Sequence, residues 1–346
     1  MDLDAGVSPG DSVRERRRAH LAMICFVFLI STSFTVGEAI APEIDPVVLT
    51  WLRFGLSAVI FAGLICSGQG NFKFPKPSNI LRYSWFAFLL SFYFSAMFEA
   101  LRWTDALSTS AIFILVPPMT AIISLVLLRQ RLSLHQICAL LLAGLAAVWV
   151  LFDGSVELLL GFTIGKGEAI FFVGCIAFAS YAPSVRRFPS GQGLVEQTFW
   201  SLVAGTVLLT AYGWPRIVAT DWREIPILVY LGAAHLTIFS TAISFYLLQF
   251  GSIRLPAAKV MAYTFLIPAF VLLQETALGE PWPSLSICFG VLVIASAMIS
   301  PRSSSTARSQ SWVIIVADRQ SPIDDQDVRI AQTTTEKARR TNMPLE

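Results

Sequence analysis

The sequence is poor in charged residues. Asp, Glu, Lys and Arg make up 14% of its 346 residues, against roughly 25% in soluble globular proteins. Hydrophobic residues make up 55%, more than a soluble fold of this length can bury. With a mean hydropathy of +0.66, the composition also excludes intrinsic disorder for most of the chain. Lipid is therefore the solvent that we expect around most of this protein.

Residues that bind metals or carry acid–base chemistry are also scarce. The chain has three histidines and five cysteines, and no cysteine forms a CxxC pair or lies beside a histidine at ligand spacing. The sequence therefore predicts no metal site, zinc site or disulfide framework. It contains no Walker sequence, nucleophile elbow or HExxH motif, so we predict neither a cofactor nor enzymatic activity. A net charge of +2 is too small to indicate a nucleic-acid partner.

What the sequence does contain is ten apolar runs, each close to the 20 or so residues that a helix needs to cross a bilayer. Lipid offers the backbone no hydrogen-bond partner, so these runs are predicted to be helices and the chain to be an all-α integral membrane protein. The runs are 21–41, 47–67, 83–101, 107–128, 134–152, 165–185, 194–213, 226–248, 257–278 and 283–300.

The basic residues predict the orientation of these runs. If the N-terminus is cytoplasmic, most loop Lys and Arg fall on the inner side, as the positive-inside rule requires. The outer loops then hold only Arg102, Lys166, Arg216 and Arg223. We therefore predict a multi-pass protein of the plasma (inner) membrane with both termini cytoplasmic. Residues 1–20 form its N-terminal segment, and the polar residues 301–346 form a disordered tail.

The sequence also predicts an internal repeat. Shifted by 151 residues, Pro117 in the fourth run falls on Pro268 in the ninth, and Leu115 falls on Leu266. The chain thus divides into two five-helix halves, 21–152 and 165–300. Because five is odd, the halves have opposite orientations in the membrane. Inverted repeats around a site near the bilayer midplane are typical of secondary transporters.

Three stretches of sequence resemble a known family. The first is Leu101-Arg-Trp-Thr-Asp-Ala-Leu-Ser-Thr-Ser-Ala-Ile112, followed by Pro117, and the second is Leu128-Arg-Gln-Arg-Leu-Ser133. The third, Gly279-Glu280-Pro281, keeps a Gly-Glu pair that the first half replaces with Arg-Gln. Over residues 21–300 the chain resembles the drug/metabolite transporter superfamily, in its ten-helix EamA-type group. The resemblance implies transport of small organic solutes, such as amino-acid-like compounds or drugs, through a central cavity lined by helices 1–4 and 6–9.

Carboxylates inside apolar runs are the best indicators of a transport path, because charge is costly in lipid. Glu38 and Glu99 each end a polar helix face and are candidates for handling substrate or a coupling proton. The alternative is that both lie near the interface and face water. Polar faces with helical spacing are Ser31, Thr35 and Glu38; Ser91, Ser95 and Glu99; and Thr237, Thr241 and Ser244 beside His235.

Four further residues are candidates for the same path. Arg53 could form an ion pair with Glu38 or bind an anion. Lys259 could contact substrate or extend to the cytoplasmic interface. His235 could relay protons or be a hydrogen-bonded core histidine, and Tyr263 could face the path or simply pack.

Two prolines and a small-residue face complete the candidates. Pro117 and Pro268 each remove a backbone donor inside a predicted helix, which predicts paired kinks that act as hinges or as static bends. Ala139, Ala143 and Ala147 have small-xxx-small spacing, which permits close helix packing within the chain or a homodimer.

Three functions remain open at this point. A secondary transporter with a small-molecule substrate is the first. A membrane-embedded enzyme acting on lipid-linked substrates is the second, and it would need clustered acids at one face, where Glu43, Asp45, Asp105 and Asp153 are scattered over short loops. A sensor or scaffold with the tail as its output is the third.

Overall fold

The structure is a computed structural model, and it describes residues 9–70, 74–128, 145, 149, 165–188, 191–255, 260 and 263–280. Within these ranges all regular secondary structure is helical. The helices are α1 (Pro9–Ile40), α2 (Pro46–Leu64), α3 (Pro77–Ala100), α4 (Ala106–Phe113), α5 (Val116–Leu128), α6 (Lys166–Arg187), α7 (Leu194–Ala219), α8 (Ile227–Thr237), α9 (Ser244–Arg254) and α10 (Ile267–Ala277).

Seven helical stretches in the described residues are long and apolar enough to cross a membrane, and each overlaps one predicted run. They are Glu15–Glu43, Pro46–Gly68, Pro77–Ala100, Ala106–Leu128, Lys166–Arg187, Leu194–Ala219 and Ile227–Leu248. The predicted ninth run contains a shorter apolar helix, Thr264–Ala277. The predicted runs 134–152 and 283–300 and the tail 301–346 lie outside the described residues. The all-helical membrane fold is confirmed, whereas the total of ten helices stays a prediction.

The outward sides of these helices carry large apolar side chains. Examples from four different helical stretches are 61–75% exposed: Val59, Val126, Val207 and Leu231. Soluble proteins rarely expose so much contiguous apolar surface. These sides of the bundle are therefore suited to contact with lipid.

Short polar loops define where the helices begin. Asp45 precedes α2 and its carboxylate accepts hydrogen bonds from the backbone N–H groups of Val47 (2.8 Å) and Val48 (3.3 Å). Pro46, which has no N–H to satisfy, occupies the first turn. Asp105 caps α4 in the same way through the N–H of Ser108. These caps mark the start of a new helix within a few residues of the end of the previous one.

The helices pack in a pattern that is symmetric on exchange of the two halves. We pair α1 with α6, α2 with α7, α3 with α8 and α9, and α4 and α5 with α10. The contact of α3 with α6 then corresponds to that of α1 with α9, and the contact of α5 with α6 to that of α1 with α10. The contact of α3 with α7 corresponds to that of α2 with α8, and α2 meets its own counterpart α7. Two halves of similar structure would produce this pattern.

An aromatic cluster forms the centre of the apolar core. Tyr93 on α3 lies 4.5 Å from Phe178 on α6, measured between ring centroids, and Phe113 on α4 lies 5.5 Å from the same ring. Phe34 on α1 meets Phe171 on α6 edge-on at 6.1 Å. Such pairs contribute about 0.5–1.5 kcal/mol each beyond the burial of their area. They join α1, α3 and α4 of the first half to α6 of the second.

Both predicted kink positions coincide with interruptions of the helix. Residues Ile114 and Leu115 form a turn between α4 and α5, and Pro117 lies in the first turn of α5. A short 3₁₀ turn, Thr264–Leu266, precedes α10, and Pro268 lies in the first turn of that helix. Proline is favoured at this position because the first N–H groups of a helix have no partner within it. Each half thus contains a broken helix at the corresponding place.

Candidate functional site

Polar side chains from α1 and α8 meet between the two halves. The hydroxyl of Thr32 on α1 forms hydrogen bonds with Nε2 of His235 (2.9 Å) and with the hydroxyl of Ser240 (3.1 Å). Ser240 in turn donates to the backbone carbonyl of Leu29 at 2.9 Å. The His235 ring also stacks on Phe239, with centroids 5.0 Å apart. His235 is therefore a hydrogen-bonded, half-buried residue.

The helix that carries these residues is interrupted by a π-helical segment, Ile238–Ile243. Within it Thr241 donates its hydroxyl proton to the carbonyl of Leu236, and beyond it Ser244 donates to that of Phe239, both at 2.9 Å and both five residues back. Such wide turns are rare and occur often at functional sites. The predicted stripe of Thr237, Thr241 and Ser244 assumed α-helical spacing, which this segment changes.

Arg53 reaches this segment from α2. Its Nε and Nη2 atoms donate to the Thr241 hydroxyl at 3.3 and 3.1 Å, and its guanidinium lies 4.3 Å from the centroid of the Phe94 ring. Arg53 lies about two turns inside α2, roughly 10 Å along the axis from the Pro46 end. It is 3% exposed. Its contacts therefore join α2 and α3 of the first half to the π segment of the second.

Arg53 has no acidic partner among the described residues. Salt bridges of the described residues include those of Arg102 with Glu99, Arg216 with Asp45, and Arg254 with Glu15, and Glu38 is not the counter-ion of Arg53. The titratable groups that interact with it electrostatically are Tyr93 and His235. A charged side chain at the centre of a helix costs about 2.5–3.5 kcal/mol on insertion scales. A cation held there without a carboxylate calls for a functional explanation.

Nη1 of Arg53 is buried without a hydrogen-bond partner. Three serine hydroxyls on α2, α3 and α7 are also buried without one: those of Ser57, Ser91 and Ser201. Ser57 lies one turn after Arg53 on the same face of α2. Gly205 on α7, one turn after Ser201, permits the close approach of the three helices. A Cβ atom there would lie 2.5 Å from the Phe54 ring and 3.2 Å from the Ser91 hydroxyl.

Three carboxylates converge on the N-terminus of α4. Asp105 accepts from the N–H of Ser108 at 2.6 Å. Glu38 on α1 accepts from the N–H of Ala106 at 3.1 Å, and Glu275 on α10 lies close enough for its charge to interact with those of Glu38 and Asp105. The partial positive charge of the helix N-terminus favours the contacts of Asp105 and Glu38. The site connects both halves through one helix end.

A glutamine on α10 holds the polar face of α1. The Gln274 side chain accepts a hydrogen bond from Thr35 and donates one to Ser31, each at 2.6 Å. Ser31, Thr35 and Glu38 therefore share one face, and this face is turned toward α10 and the start of α4. Gln274 and Glu275 were not among the predicted site residues. A signal for Gln274 was present, because an amide inside an apolar run needs partners.

Glu99 lies apart from these groups. Its Oε2 pairs with Arg102 at 3.4 Å and its Oε1 accepts from Trp103 at 3.0 Å. Both Glu99 and Arg102 are about one-third exposed or more. Lys166 stands over the same Trp103 ring at 3.5 Å. Ser91 and Ser95, on the same predicted face, lie deeper, and Ser95 donates to Thr50 on α2 at 3.3 Å.

Tyr263 lies at the other end of the bundle. Its hydroxyl forms a 2.6 Å hydrogen bond with Nδ1 of His20 on α1, and its side chain is buried. It joins the start of α1 to the region before α10. Lys259 lies outside the described residues. The structure thus brings Arg53 and His235 together at the π segment, and places Glu38, Glu99 and Tyr263 at three other positions.

Metal ligation has no support in this geometry. In the part of the chain that the structure describes, no three His, Cys, Asp or Glu side chains come together in a way that could hold a metal ion.

The chain is similar in sequence to two bacterial proteins. It is 23% identical over 276 residues to the uncharacterized transporter YyaM of Bacillus subtilis (strain 168). This alignment covers 80% of this chain and 90% of the relative. It is 21% identical over 285 residues to the uncharacterized transporter YetK of the same organism, covering 79% and 83%. The alignments span most of each protein, so the likeness concerns the whole membrane region.

A solved crystal structure shares the fold. It superposes with a TM-score of 0.58 over 80% of this chain and 96% of its own, at 17% identity. The EamA-like transporter family matches the sequence twice, over residues 17–152 and again over 165–300. These two matches cover most of the chain and confirm the resemblance seen in its motifs. The chain therefore belongs to the EamA-like transporter family.

Proposed function

We propose that this protein is a secondary transporter that moves small organic solutes across the membrane by alternating access, driven by a solute or proton gradient. The observation that carries the proposal is the repeated family match together with the symmetric packing of the two halves. Two similar halves around one set of polar groups can exchange their conformations, and this exchange opens the site to each side in turn. Family membership supports transport, and the geometry supports the mechanism.

The proposal includes a topology. Residues 21–152 and 165–300 form two five-helix repeats of opposite orientation in the plasma membrane, and segments 1–20 and 301–346 are cytoplasmic. The experiment is cysteine labelling in intact cells, with all five natural cysteines replaced and single cysteines placed in the loops. A membrane-impermeant reagent should label a cysteine that replaces Arg223 and leave one that replaces Lys76 unlabelled. Labelling at position 76 or at either terminus from outside contradicts the topology.

The polar groups between the halves form the proposed path. Arg53 and His235 lie at its middle, where α2, α3 and α8 meet, and Glu38 and Glu275 lie at the start of α4. The aromatic cluster around Tyr93, which includes rings from both halves, borders the middle. We include Lys259 as a candidate for one end of the path, on the basis of its position in the predicted spans, whereas Glu99, which pairs with Arg102, lies apart from the path.

The carboxylates at the start of α4 are suited to coupling transport to protons. Glu38 and Glu275 come from opposite halves and interact electrostatically, with Asp105 and Glu280 as further acidic neighbours. Like charges repel, so the closed contact is favoured when one carboxyl group carries a proton. Separation of α10 from α4 would then accompany release of that proton. Substrate movement and proton movement would thus share one conformational change.

The decisive experiment uses the purified full-length chain in sealed vesicles without ATP. We expect an imposed pH gradient to drive uptake or efflux of at least one solute from a panel of amino acids, organic acids, nucleosides, sugars and cationic drugs. A protonophore should abolish accumulation but leave exchange of labelled for unlabelled solute intact. Absence of flux for every solute in both modes contradicts the proposal.

The loop acids that a membrane-embedded enzyme would use do not support this alternative. Asp45 and Asp105 serve as helix caps, and Asp45 also lies 3.9 Å from Arg216. Asp153 lies outside the described residues. The names of the two bacterial relatives also refer to transport.

A further inference from the structure

We propose that the transported solute is an organic anion with a single carboxylate group, and that Arg53 binds this group through Nη1. The inference rests on the proposed transport function and assigns a substrate class to its central site. It follows from four properties of Arg53: its burial, its lack of an acidic partner, the fixed orientation of its guanidinium, and the chemistry of its surroundings.

Burial and pairing set Arg53 apart from the other cations. The remaining described Lys and Arg residues lie in loops or near the ends of the candidate spans, where their charges reach water. Arg53 is 3% exposed in the middle of the bundle, and no described carboxylate pairs with it. A buried cation that lacks a protein counter-ion is suited to an anion that arrives and leaves.

The guanidinium of Arg53 is hydrogen-bonded along one edge and has an unpaired nitrogen, Nη1, on the other. Nε and Nη2 donate to a single acceptor, the Thr241 hydroxyl, and the plane lies against Phe94. Nη1 is buried without a partner. A carboxylate approaching that edge would accept from Nη1 and from the second N–H of Nη2, which is the bidentate geometry that arginine favours.

The surroundings favour one negative charge on an apolar body. Arg53 is the single deep cation in the described residues, so a phosphate dianion would leave one charge unmatched. Phe94 beneath the guanidinium and the neighbouring Tyr93 provide aromatic surface, which suits a solute with an apolar or aromatic portion. Ser57, one turn along α2, has a buried hydroxyl without a partner that could donate to a second polar group of the solute.

The test compares matched acids and amides as probes. The full-length protein in detergent is heated with 3-phenylpropionate or 3-phenylpropionamide, and with hexanoate or hexanamide, and the shift of its unfolding temperature is recorded. The same four compounds are then tested in vesicles as inhibitors of flux of any solute found in the panel above. We expect the acids to stabilise the protein and to inhibit flux, and the amides to do neither.

Variants assign the effect to Arg53. In Arg53→Met the apparent affinity for the acids should fall by about 30-fold or more, as expected on losing one partner of a buried charged hydrogen bond. Arg53→Lys keeps the charge and should retain part of the binding. Arg223→Met, which removes an exposed loop cation, makes the same change in net charge and should bind the acids as the unmodified protein does.

A second readout separates recognition from structural support. Because Arg53 has no protein counter-ion, Arg53→Met without ligand should unfold at the same temperature as the unmodified protein or at a higher one. A large fall would assign Arg53 to folding and overturn the inference. Equal effects of the acids and the amides, or no effect of the acids, would also overturn the inference. Flux of neutral or cationic solutes that survives in Arg53→Met would overturn the inference while leaving the transport function intact.

Discussion

Arg53 and Thr241 are hydrogen-bonded across the two segments that match the family, with Nη2 of Arg53 lying 3.1 Å from the Thr241 hydroxyl. We expect Thr241→Val to reduce flux about tenfold, because the guanidinium loses the acceptor that orients it and charged hydrogen bonds contribute about 1.5–3 kcal/mol. The measurement is initial flux in vesicles with equal amounts of folded protein.

Thr237→Val is the matched control for that change. Thr237 is buried in the same span, but its hydroxyl donates only to the carbonyl of Ala233 one turn back. The control should retain most of the flux. If both variants lose activity equally, the effect belongs to helix packing and the orienting role of Thr241 is wrong.

The carboxylates at α4 lead to a prediction about pH. Glu38→Gln and Glu275→Gln each remove one titrating group from a contact that includes Asp105 and Glu280. We expect both variants to flatten the dependence of flux on pH while exchange of solute continues. The measurement is flux from acidic to mildly alkaline pH, with and without an imposed gradient.

Glu99→Gln serves as the control for the pH measurements. Its carboxylate is partly exposed and pairs with Arg102 within the same helix end, a type of pair that contributes little. The pH profile should stay unchanged. A flattened profile in Glu99→Gln alone would transfer the coupling role from the start of α4 to the end of α3.

We predict that replacing Gly205 with a larger residue disturbs helix packing. In Gly205→Ala the new methyl would lie 2.5 Å from the Phe54 ring, so α7 must move away from α2, at a cost of about 1–3 kcal/mol. The control is Gly63→Ala on α2, where a Cβ would meet no atom within 4 Å. This substitution should leave stability unchanged or raise it. Unfolding of the two variants in the same detergent is compared. Equal stability would show that the helices do not approach this closely.

We predict that replacing Gln274 with an apolar residue lowers stability at the contact of α1 with α10. Gln274→Leu conserves volume but removes the hydrogen bonds to Ser31 and Thr35. We expect a decrease of about 1–3 kcal/mol in the free energy of unfolding, since Thr35 is left without this acceptor. Thr276→Val, whose hydroxyl donates only to Leu272 in its own helix, is the control. A smaller effect in Gln274→Leu than in the control would contradict the assignment.

The sequence predicted the helices well because each signal was local. Apolar length identified α1, α2 and α3, and their caps and prolines lay at the predicted breaks, as Asp45 and Pro46 illustrate. The family motifs were also local, since they concern the sequence around α4 and the turn at Gly279. Such features depend on a few neighbouring residues and on the thickness of a bilayer.

The contacts between helices could not be predicted in the same way. The partner of Arg53 is 188 residues away, and polar spacing alone cannot distinguish Glu38 from Thr241 as that partner. The convergence of Glu38 and Glu275 depends on how α1 and α10 are placed around α4. The π segment also has no composition of its own, because its sequence is as apolar as the α-helices on either side. Tertiary packing decides all three.

The π segment has a consequence for sequence changes in this part of the chain. A π turn accommodates one residue more than an α turn. Because the wide turn absorbs the extra residue, deleting one residue between Ile238 and Ile243 would restore the regular spiral and leave α9 facing α1 as before. A deletion in an α-helical turn of the same span would instead rotate α9 by about 100° and turn its surface away from α1. One-residue deletions within the π segment should therefore be tolerated better than deletions in the α-helical turns on either side.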